Sequence, residues 1–432
     1  LRTLAEAQNP ALTGGLADQE WTITYVQQGN ATTTFDAYTD EFIFRNDNQF
    51  LVGSGGPLTI ATQPMNGSSL LTVGALTAGN PVLNNNGGSS ITIRDDVGGV
   101  TIANISTIGS NVGIDASGNL SSGIGQPAGT TANPFGTAIA NAGGSAVRNV
   151  SISGDGTNDL QKGVRIAGIV DPATGNTTTS NPTGGIEFSD TSINITTAQA
   201  FQVGAITEAP AVAGDAILGS GGDVSINYLG SITNNISQNG NFPSVLVTVL
   251  GKTGGTVNIT ASGTPLDATV ENKILDVGGQ GILIEENDAP TFINIGNATL
   301  ADNTNTAIFV LNDSSTTNIT AEGNATYASG ISKRGGQSAI FIEGGSPQFT
   351  YFGTIENSAP TGAANRLTTI TDVNNADINI SGPGILPLVD AASGVGINNA
   401  TTSTIQFSGL DLRGPGDSGI EVVDSTNSTI SF

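Results

Sequence analysis

Few residues of this chain have the types and spacing that catalysis requires. Asp95 and Asp96 form an adjacent carboxylate pair, and two carboxylates set about 5–9 Å apart can hydrolyse a glycosidic bond. The surrounding stretch 94–99 also has the composition of a solvated turn, which is the interpretation we favour. Lys162 and Arg165 are candidates for a basic pair, but residues three apart in a strand point to opposite faces. We therefore predict no catalytic residue.

Histidine and cysteine are both absent from the 432 residues. The chain therefore has no Ser-His-Asp triad, no imidazole base and no thiolate nucleophile. Disulfides, zinc–thiolate sites and iron–sulfur clusters are excluded for the same reason. We predict that the protein is not an enzyme, has no cofactor-binding residues and requires no cofactor.

Three acidic turns are candidate calcium sites. The stretch 153–159 is rich in oxygen ligands, but Leu160 and Ile166 stand where a calcium-binding EF-hand loop needs glycine and glutamate. The stretch 278–283 begins like a calcium β-roll repeat and then has leucine where aspartate is required. The third turn is 285–288. Weak calcium binding on the acidic surface stays open, and the sequence leaves the metal ligands unknown.

The charge balance narrows the range of partners. The chain has 12 Lys and Arg against 36 Asp and Glu, a net charge of -24. Nucleic acids and anionic membranes attract clustered basic residues, so neither is a predicted partner. No run of 18 apolar residues occurs, and we predict no transmembrane helix. Because the sequence starts at Leu1 and its only methionine is Met65, we expect a processed or excerpted chain without its secretion signal.

A repeat dominates the sequence from about residue 91. Its first phrase is an apolar, a polar and an apolar residue, although one copy begins with threonine. The copies begin at Val150, Ile193, Val224, Val257, Ile293, Thr317, Phe349, Ile378, Ile405 and Ile430. From 257 to 430 the copies recur about every 29 residues.

A second phrase precedes most of these copies. It consists of a small residue, an apolar residue, any residue and another apolar residue. It begins at Gly185, Gly281, Ala307, Ala339, Gly394 and Gly419. Because the number of residues between the two phrases is nearly constant, we expect one structural unit per repeat.

The local pattern predicts the fold. Alternation over three to five residues is typical of short strands with one buried face, and Gly, Asn, Asp, Ser and Thr between them favour turns. We predict an all-β chain folded as a right-handed parallel β-helix (β-solenoid) with coils of about 29 residues. An antiparallel β-sandwich is the alternative, although sandwiches lack a longer repeat of about 29 residues superimposed on the alternation of their strands. Ile308, Ile340 and Ile420 are predicted core residues.

The chain divides into two predicted regions. Residues 1–50, rich in aromatic side chains, are interpreted as an N-terminal cap or a junction between subunits. Residues 51–432 form the β-helix, with a loop insertion at 107–147. The last inner phrase ends at Phe432, and we expect either more chain or the N-terminal segment of another copy to cover it. The second case would produce head-to-tail filaments.

Three features of the sequence are similar to those of a known class of proteins. They are the phrases of the type Ile193-Asn194-Ile195, the turns rich in Asn, Thr, Ser and Gly, and the lack of cysteine. They resemble secreted bacterial β-helix surface proteins, such as autotransporter passengers, filamentous-haemagglutinin-like adhesins and β-strand-repeat proteins. The likeness is architectural and covers about 91–432. It implies an extracellular, cell-surface protein with a structural or adhesive role, with self-association and surface glycans as the expected interactions.

Two alternative functions stay open because polysaccharide-degrading enzymes share this fold. A groove lined by exposed aromatic residues would favour a lyase or glycosidase. The candidates are Tyr228, Tyr327, Tyr351 and Phe352, and most of them stand at positions of the repeat that are predicted to face the core. A glycan-binding module using 107–147 is the second alternative. Asn-x-Ser/Thr triplets at Asn194, Asn258, Asn318 and Asn379 fit a surface protein, but many such triplets lie inside predicted strands.

Overall fold

The computed structural model describes an all-β chain, and its described residues contain no α-helix. The described residues are 22–28, 38–56, 58–62, 69–73, 79–85, 88–93, 97–108, 112–115, 145–153, 162–167, 169–170, 177–178, 184–195, 199–204, 224–234, 245–252, 254–260, 272–276, 281–296, 298–303, 306–321, 330–333, 338–357, 366–382, 388–390, 393–412 and 419–432. The predicted all-β class is therefore confirmed for this part of the chain.

The strands form three stacks in which every pairing is parallel. The first stack contains Ile23–Val26, Phe50–Gly53, Thr101–Ala103, Ser145–Arg148, Val257–Thr260, Thr291–Asn294, Thr316–Thr320, Gln348–Phe352, Asp377–Ser381, Thr404–Ser408 and Thr429–Ser431. The second stack contains Val82–Leu83, Ser106–Ile108, Ser151–Ser153, Asn272–Asp276, Ala298–Asn303, Gly330–Lys333, Thr354–Asn357, Leu388–Asp390 and Leu410–Leu412. The long strands Gly184–Ile195 and Val224–Asn234 belong to both stacks and join them into one 22-stranded sheet.

The third stack is a separate 12-stranded parallel sheet. It contains Phe42–Phe44, Ser89–Ile93, Val112–Asp115, Lys162–Ala167, Gln199–Gly204, Val245–Leu250, Ile282–Glu285, Ile308–Leu311, Ile340–Glu343, Arg366–Thr371, Ser393–Asn398 and Ile420–Val423. Two small antiparallel pairs lie outside the stacks, Leu58–Thr62 with Ser69–Val73 and Ile169–Val170 with Thr177–Thr178. The long parallel sheets do not fit the antiparallel sandwich that the sequence left open.

Each repeat visits the three stacks in turn. The strand Ile282–Glu285 of the third stack is followed by Thr291–Asn294 in the first and Ala298–Asn303 in the second, before Ile308–Leu311 returns to the third. Each strand pairs with its equivalent from the next repeat, so Ile282 lies beside Ile308 and Ile308 beside Ile340. The sequence repeat and the structural unit therefore coincide in this region.

The core lies between the stacks and consists of inward columns of apolar side chains. Ile308 and Ile340, both predicted core residues, are completely buried. The prediction for Ile420 is wrong, because 43% of its surface is exposed. Ile420 pairs with Val395 on one side and lies on the last described strand of the third stack, so no further described strand covers it.

The register corrects several of the predicted repeat copies. The copies at 150–152 and 193–195 lie in the second stack, where Ile152 pairs with Ile193, whereas the later copies lie in the first stack. The phrase at 293–295 is displaced by two residues, because Ile293 rather than Ile295 pairs with both Ile259 and Ile319. The copy of the second phrase that begins at Gly185 lies in the first stack, where Gly185 pairs with Ser225, and not in the third stack like the later copies. Short apolar phrases are ambiguous by two residues because the period of a strand is two.

Parts of the predicted N-terminal segment 1–50 and of the predicted loop insertion 107–147 belong to the stacks. Within 1–50, Ile23–Val26 pairs with Phe50–Gly53 and Phe42–Phe44 pairs with Ser89–Ile93. Within 107–147, strands enter from both ends, since Val112–Asp115 pairs with Lys162–Ala167 in the third stack. Residues 1–21 and 116–144 lie outside the described part of the chain.

A left-handed residue follows many strands of the third stack and turns the chain toward the first. Its members, all with φ between 48° and 70°, are Gly251, Glu286, Asn312, Gly344, Asp372, Asn399 and Asp424. Glycine, asparagine and aspartate adopt this conformation at low cost, which explains the composition of the turns. The amide of Asn399 also donates to the Asp372 carboxylate at 2.7 Å, which ties neighbouring turns together.

Candidate functional site

A buried polar column follows the left-handed turns into the core. Lys252, Asn287 and Asp313 occupy equivalent positions in three successive repeats, and all three are completely buried. The Lys252 amine donates to the carbonyl of Gly254 at 2.8 Å, and the Asn287 amide donates to the carbonyl of Ala289 at 2.8 Å. Buried polar groups need such partners, so this column is a satisfied internal network.

Asp313 is the most enclosed carboxyl group of this column. Its oxygens accept hydrogen bonds from the hydroxyl groups of Ser315 at 2.8 Å and Thr317 at 2.9 Å, and from the Asn287 amide at 3.3 Å. Burial raises the pKa of Asp313, and these hydrogen bonds partly oppose the rise. Because all its surface is covered, Asp313 can stabilise the turn but cannot reach a substrate.

Most of the side chains considered for catalysis lie outside the described part of the chain. Asp95 and Asp96 lie outside the described residues, as does the side chain of Lys162. Arg165 is buried on the strand Lys162–Ala167, where it lies beside Gln202. The buried side chain of Arg165 therefore has little surface from which to contact a polysaccharide.

The acidic turn 285–288 does not converge on one point. Asn287 turns into the core, and the exposed Asp288 carboxylate accepts a hydrogen bond from the Ser314 hydroxyl at 2.8 Å. Partial burial and the neighbouring charge of Glu286 raise the pKa of Glu285. Residues 154–159 and 278–280 of the other two turns lie outside the described part. Within the described residues, no three acidic side chains are grouped to hold a metal ion.

The aromatic candidates divide between core and surface. Tyr228 and Tyr351 are buried, and their hydroxyl groups donate to the carbonyls of Thr191 at 2.9 Å and Thr354 at 2.8 Å. Burial raises the pKa of both phenols, so they stay protonated. Phe352 instead points outward with 39% of its surface exposed. Tyr327 lies outside the described residues.

Phe352 belongs to two outward rows of the first stack, which we call the uncharged face. Between residues 225 and 431 neither row contains a charged residue, although Glu187 pairs with Asn227 on the preceding strand and the exposed Asp377 lies two residues before Asn379. The first row is Ser225, Asn258, Phe292, Asn318, Thr350, Asn379, Gln406 and Ser431. The second row is Asn227, Thr260, Asn294, Thr320, Phe352, Ser381 and Ser408. Hydroxyl and amide groups with two phenyl rings are thus its only functional groups.

The phenyl rings of Phe292 and Phe352 lie diagonally across three neighbouring strands of this face. Phe292 pairs with Asn318, Asn318 pairs with Thr350, and Phe352 stands two residues beyond Thr350 on the same strand. Two strand spacings of about 4.8 Å and two residues of about 3.3 Å separate the Cα atoms of Phe292 and Phe352 by about 12 Å. The sequence pattern did not reveal Phe292, because the phrase at 293–295 is two residues out of register.

No protein-family model, curated protein or solved structure matches this chain. The chemistry of the uncharged face is therefore inferred from the residues of this chain alone. Among the described residues, no helix has the length and apolarity needed to cross a membrane.

Three of the Asn-x-Ser/Thr triplets lie on the uncharged face. Asn258, Asn318 and Asn379 stand in the middle of paired strands, as the sequence pattern indicated. Their side chains share one outward row, in which the Asn258 amide donates to the Thr256 hydroxyl at 3.4 Å and Oδ1 of Asn379 is buried, so that Asn318 has the most available amide of the three. The chemistry that this arrangement supports is contact with uncharged polar molecules.

Proposed function

We propose that the chain is a non-enzymatic structural or adhesive protein of the cell surface, folded as a right-handed parallel β-helix. The observation that carries this proposal is the continuous parallel register of the three stacks, which runs from Ile23 to Ser431. Equivalent strands of successive repeats are neighbours, which is the contact pattern of a solenoid. The right-handed sense follows the usual preference of parallel crossover connections.

Such a stack suits a mechanical role. Each repeat would be held to the next by backbone hydrogen bonds in three stacks and by columns of buried apolar side chains. With 12 strands in the third stack at about 4.8 Å each, the rod would be about 50 Å long. The net charge of -24 would keep such rods apart in solution unless a specific contact joined them.

Self-association is part of the proposal. Residues 419–432 form the last described edge of the stacks, and four apolar side chains there are exposed, namely Ile420, Val422, Val423 and Phe432. Ile420 and Val422 continue the inward columns of Val395 and Ile397, and the ring of Phe432 stacks on that of Phe407 at 5.5 Å. A strand from another copy, in the region of residues 1–50, would cover this edge by parallel pairing and produce a head-to-tail filament.

The test is negative-stain electron microscopy of the purified, tag-free chain over a concentration series, with and without calcium. We expect short rods that join end to end as the concentration rises. Compact round particles at every concentration would overturn the proposed rod. A parallel screen for polysaccharide degradation is expected to yield no product, and a processive cleavage activity would favour the enzyme alternative instead.

A further inference from the structure

We infer that the uncharged face binds a neutral polysaccharide, with Phe292 and Phe352 as stacking platforms for its sugar rings. This inference rests on the adhesive role proposed above and names its ligand class. Both phenyl rings are exposed, at 38% for Phe292 and 39% for Phe352, although large aromatic side chains usually seek burial. Two such rings on one flat, polar sheet form a surface with both apolar and hydrogen-bonding groups.

The spacing of the two rings favours an extended chain over a single sugar. Their Cα atoms are separated by about 12 Å, which is longer than one sugar ring. Asn318 lies beside Phe292 in register, and Thr320 lies beside Phe352, so polar side chains occupy the path between the rings. A polysaccharide lying diagonally across these strands would place separate sugar units on the two platforms.

The polar groups between the rings are available for a ligand. The side chains of Asn318, Thr320 and Thr350 make no hydrogen bond to another residue in the described part of the chain. All three are only partly covered. An amide both donates and accepts, as does a hydroxyl group, which matches the hydroxyl groups of a sugar. The apolar C–H face of the same sugar would lie on a phenyl ring.

The charge distribution selects a neutral ligand. Neither row of the uncharged face contains Lys or Arg to neutralise an acidic polysaccharide or a nucleic acid, and the net charge of -24 would repel both. Between residues 225 and 431 these rows contain no carboxylate to attract a cationic ligand. Recognition on this face therefore depends on stacking and on neutral hydrogen bonds.

The experiment is native affinity electrophoresis of the full chain in gels that contain soluble neutral polysaccharides, namely dextran, xyloglucan, galactomannan and hydroxyethylcellulose. We expect retardation by at least one of them. Phe292→Ala and Phe352→Ala should each weaken this binding by about threefold to tenfold, the equivalent of one aromatic contact. Phe341→Ala is the matched control, because it removes a partly exposed phenyl ring of the third stack, away from this face and from the edge at 419–432.

Two results would overturn the inference. One is unretarded migration of the unaltered chain in all four gels. The other is unchanged retardation of the chain carrying both Phe292→Ala and Phe352→Ala, which would place sugar binding elsewhere. Neither result affects the proposed rod, which electron microscopy tests separately. Conversely, retardation that depends on both rings would support the binding face even if the particles were not rods.

Discussion

The amide of Asn287 donates a hydrogen bond to the carboxylate of Asp313 at 3.3 Å, across two neighbouring repeats, and both side chains are completely buried. The same carboxylate accepts from Ser315 and Thr317. Turns of successive repeats are thus joined inside the core and not only through strand hydrogen bonds. Substitutions in the turn between the third and first stacks can therefore test how much this contact contributes to holding the repeats together.

Asp313→Ala should destabilise the fold by about 2–4 kcal/mol, because it leaves the Asn287 amide and two hydroxyl groups buried with fewer partners. The measurement is thermal unfolding followed by circular dichroism. Asp288→Ala is the matched control, since Asp288 also accepts a serine hydroxyl but is exposed. We expect the control to change stability by less than about 0.5 kcal/mol. Equal losses in the two variants would contradict the internal network.

Stability should increase when the pH falls from 7 into the ordinary carboxyl range. Burial raises the pKa values of Asp313 and Glu285 in the folded chain, and Glu286 raises that of Glu285 further. A raised folded pKa stabilises the fold below the unfolded pKa, and this contribution is lost as the pH rises through the folded value. Melting temperatures measured across this range at constant ionic strength will test the sign.

The control for this pH dependence is the chain carrying both Glu285→Gln and Asp313→Asn. Acidification also lowers the large net negative charge, which stabilises any compact form of this chain. The slope in the unaltered chain should therefore exceed the slope in the double variant. Identical slopes would show that the two carboxyl groups do not titrate differently from exposed ones.

Ile340 and Ile420 occupy the same inward column but differ in burial. Ile340→Asn should cost about 3–5 kcal/mol, because it loses buried apolar area and encloses an amide without assured partners. Ile420→Asn should cost less than about 1 kcal/mol, because the side chain at this position is already 43% exposed. Urea unfolding midpoints of the two variants provide the comparison. An unchanged midpoint for Ile340→Asn would remove the assigned core.

The sequence predicted the stacked strands better than it predicted the surface. The phrases at Ile308 and Ile340 identified inward columns because apolar alternation that keeps a constant phase is typical of strands stacked in register. Phe292 was missed because a two-residue displacement preserves the alternation and only the pairing partner reveals it. The burial of Asn287 and Asp313 had no local signal, because polar turn residues normally face solvent.

The most direct test of the parallel register uses the absence of cysteine from the chain. Asn318 and Thr350 lie side by side on adjacent strands, at a spacing of about 4.8 Å that lies within the range for a disulfide. Asn318 and Asn379 lie two strands apart, at about 9.6 Å, which is too far.

Oxidation of the chain carrying Asn318→Cys and Thr350→Cys, followed by peptide mass spectrometry, should reveal an intramolecular disulfide. The chain carrying Asn318→Cys and Asn379→Cys should remain unlinked under the same conditions. Linkage of the adjacent pair alone is the result that stacked parallel repeats predict. Efficient linkage of the distant pair, or none in the adjacent pair, would contradict the stacking on which the proposed rod depends.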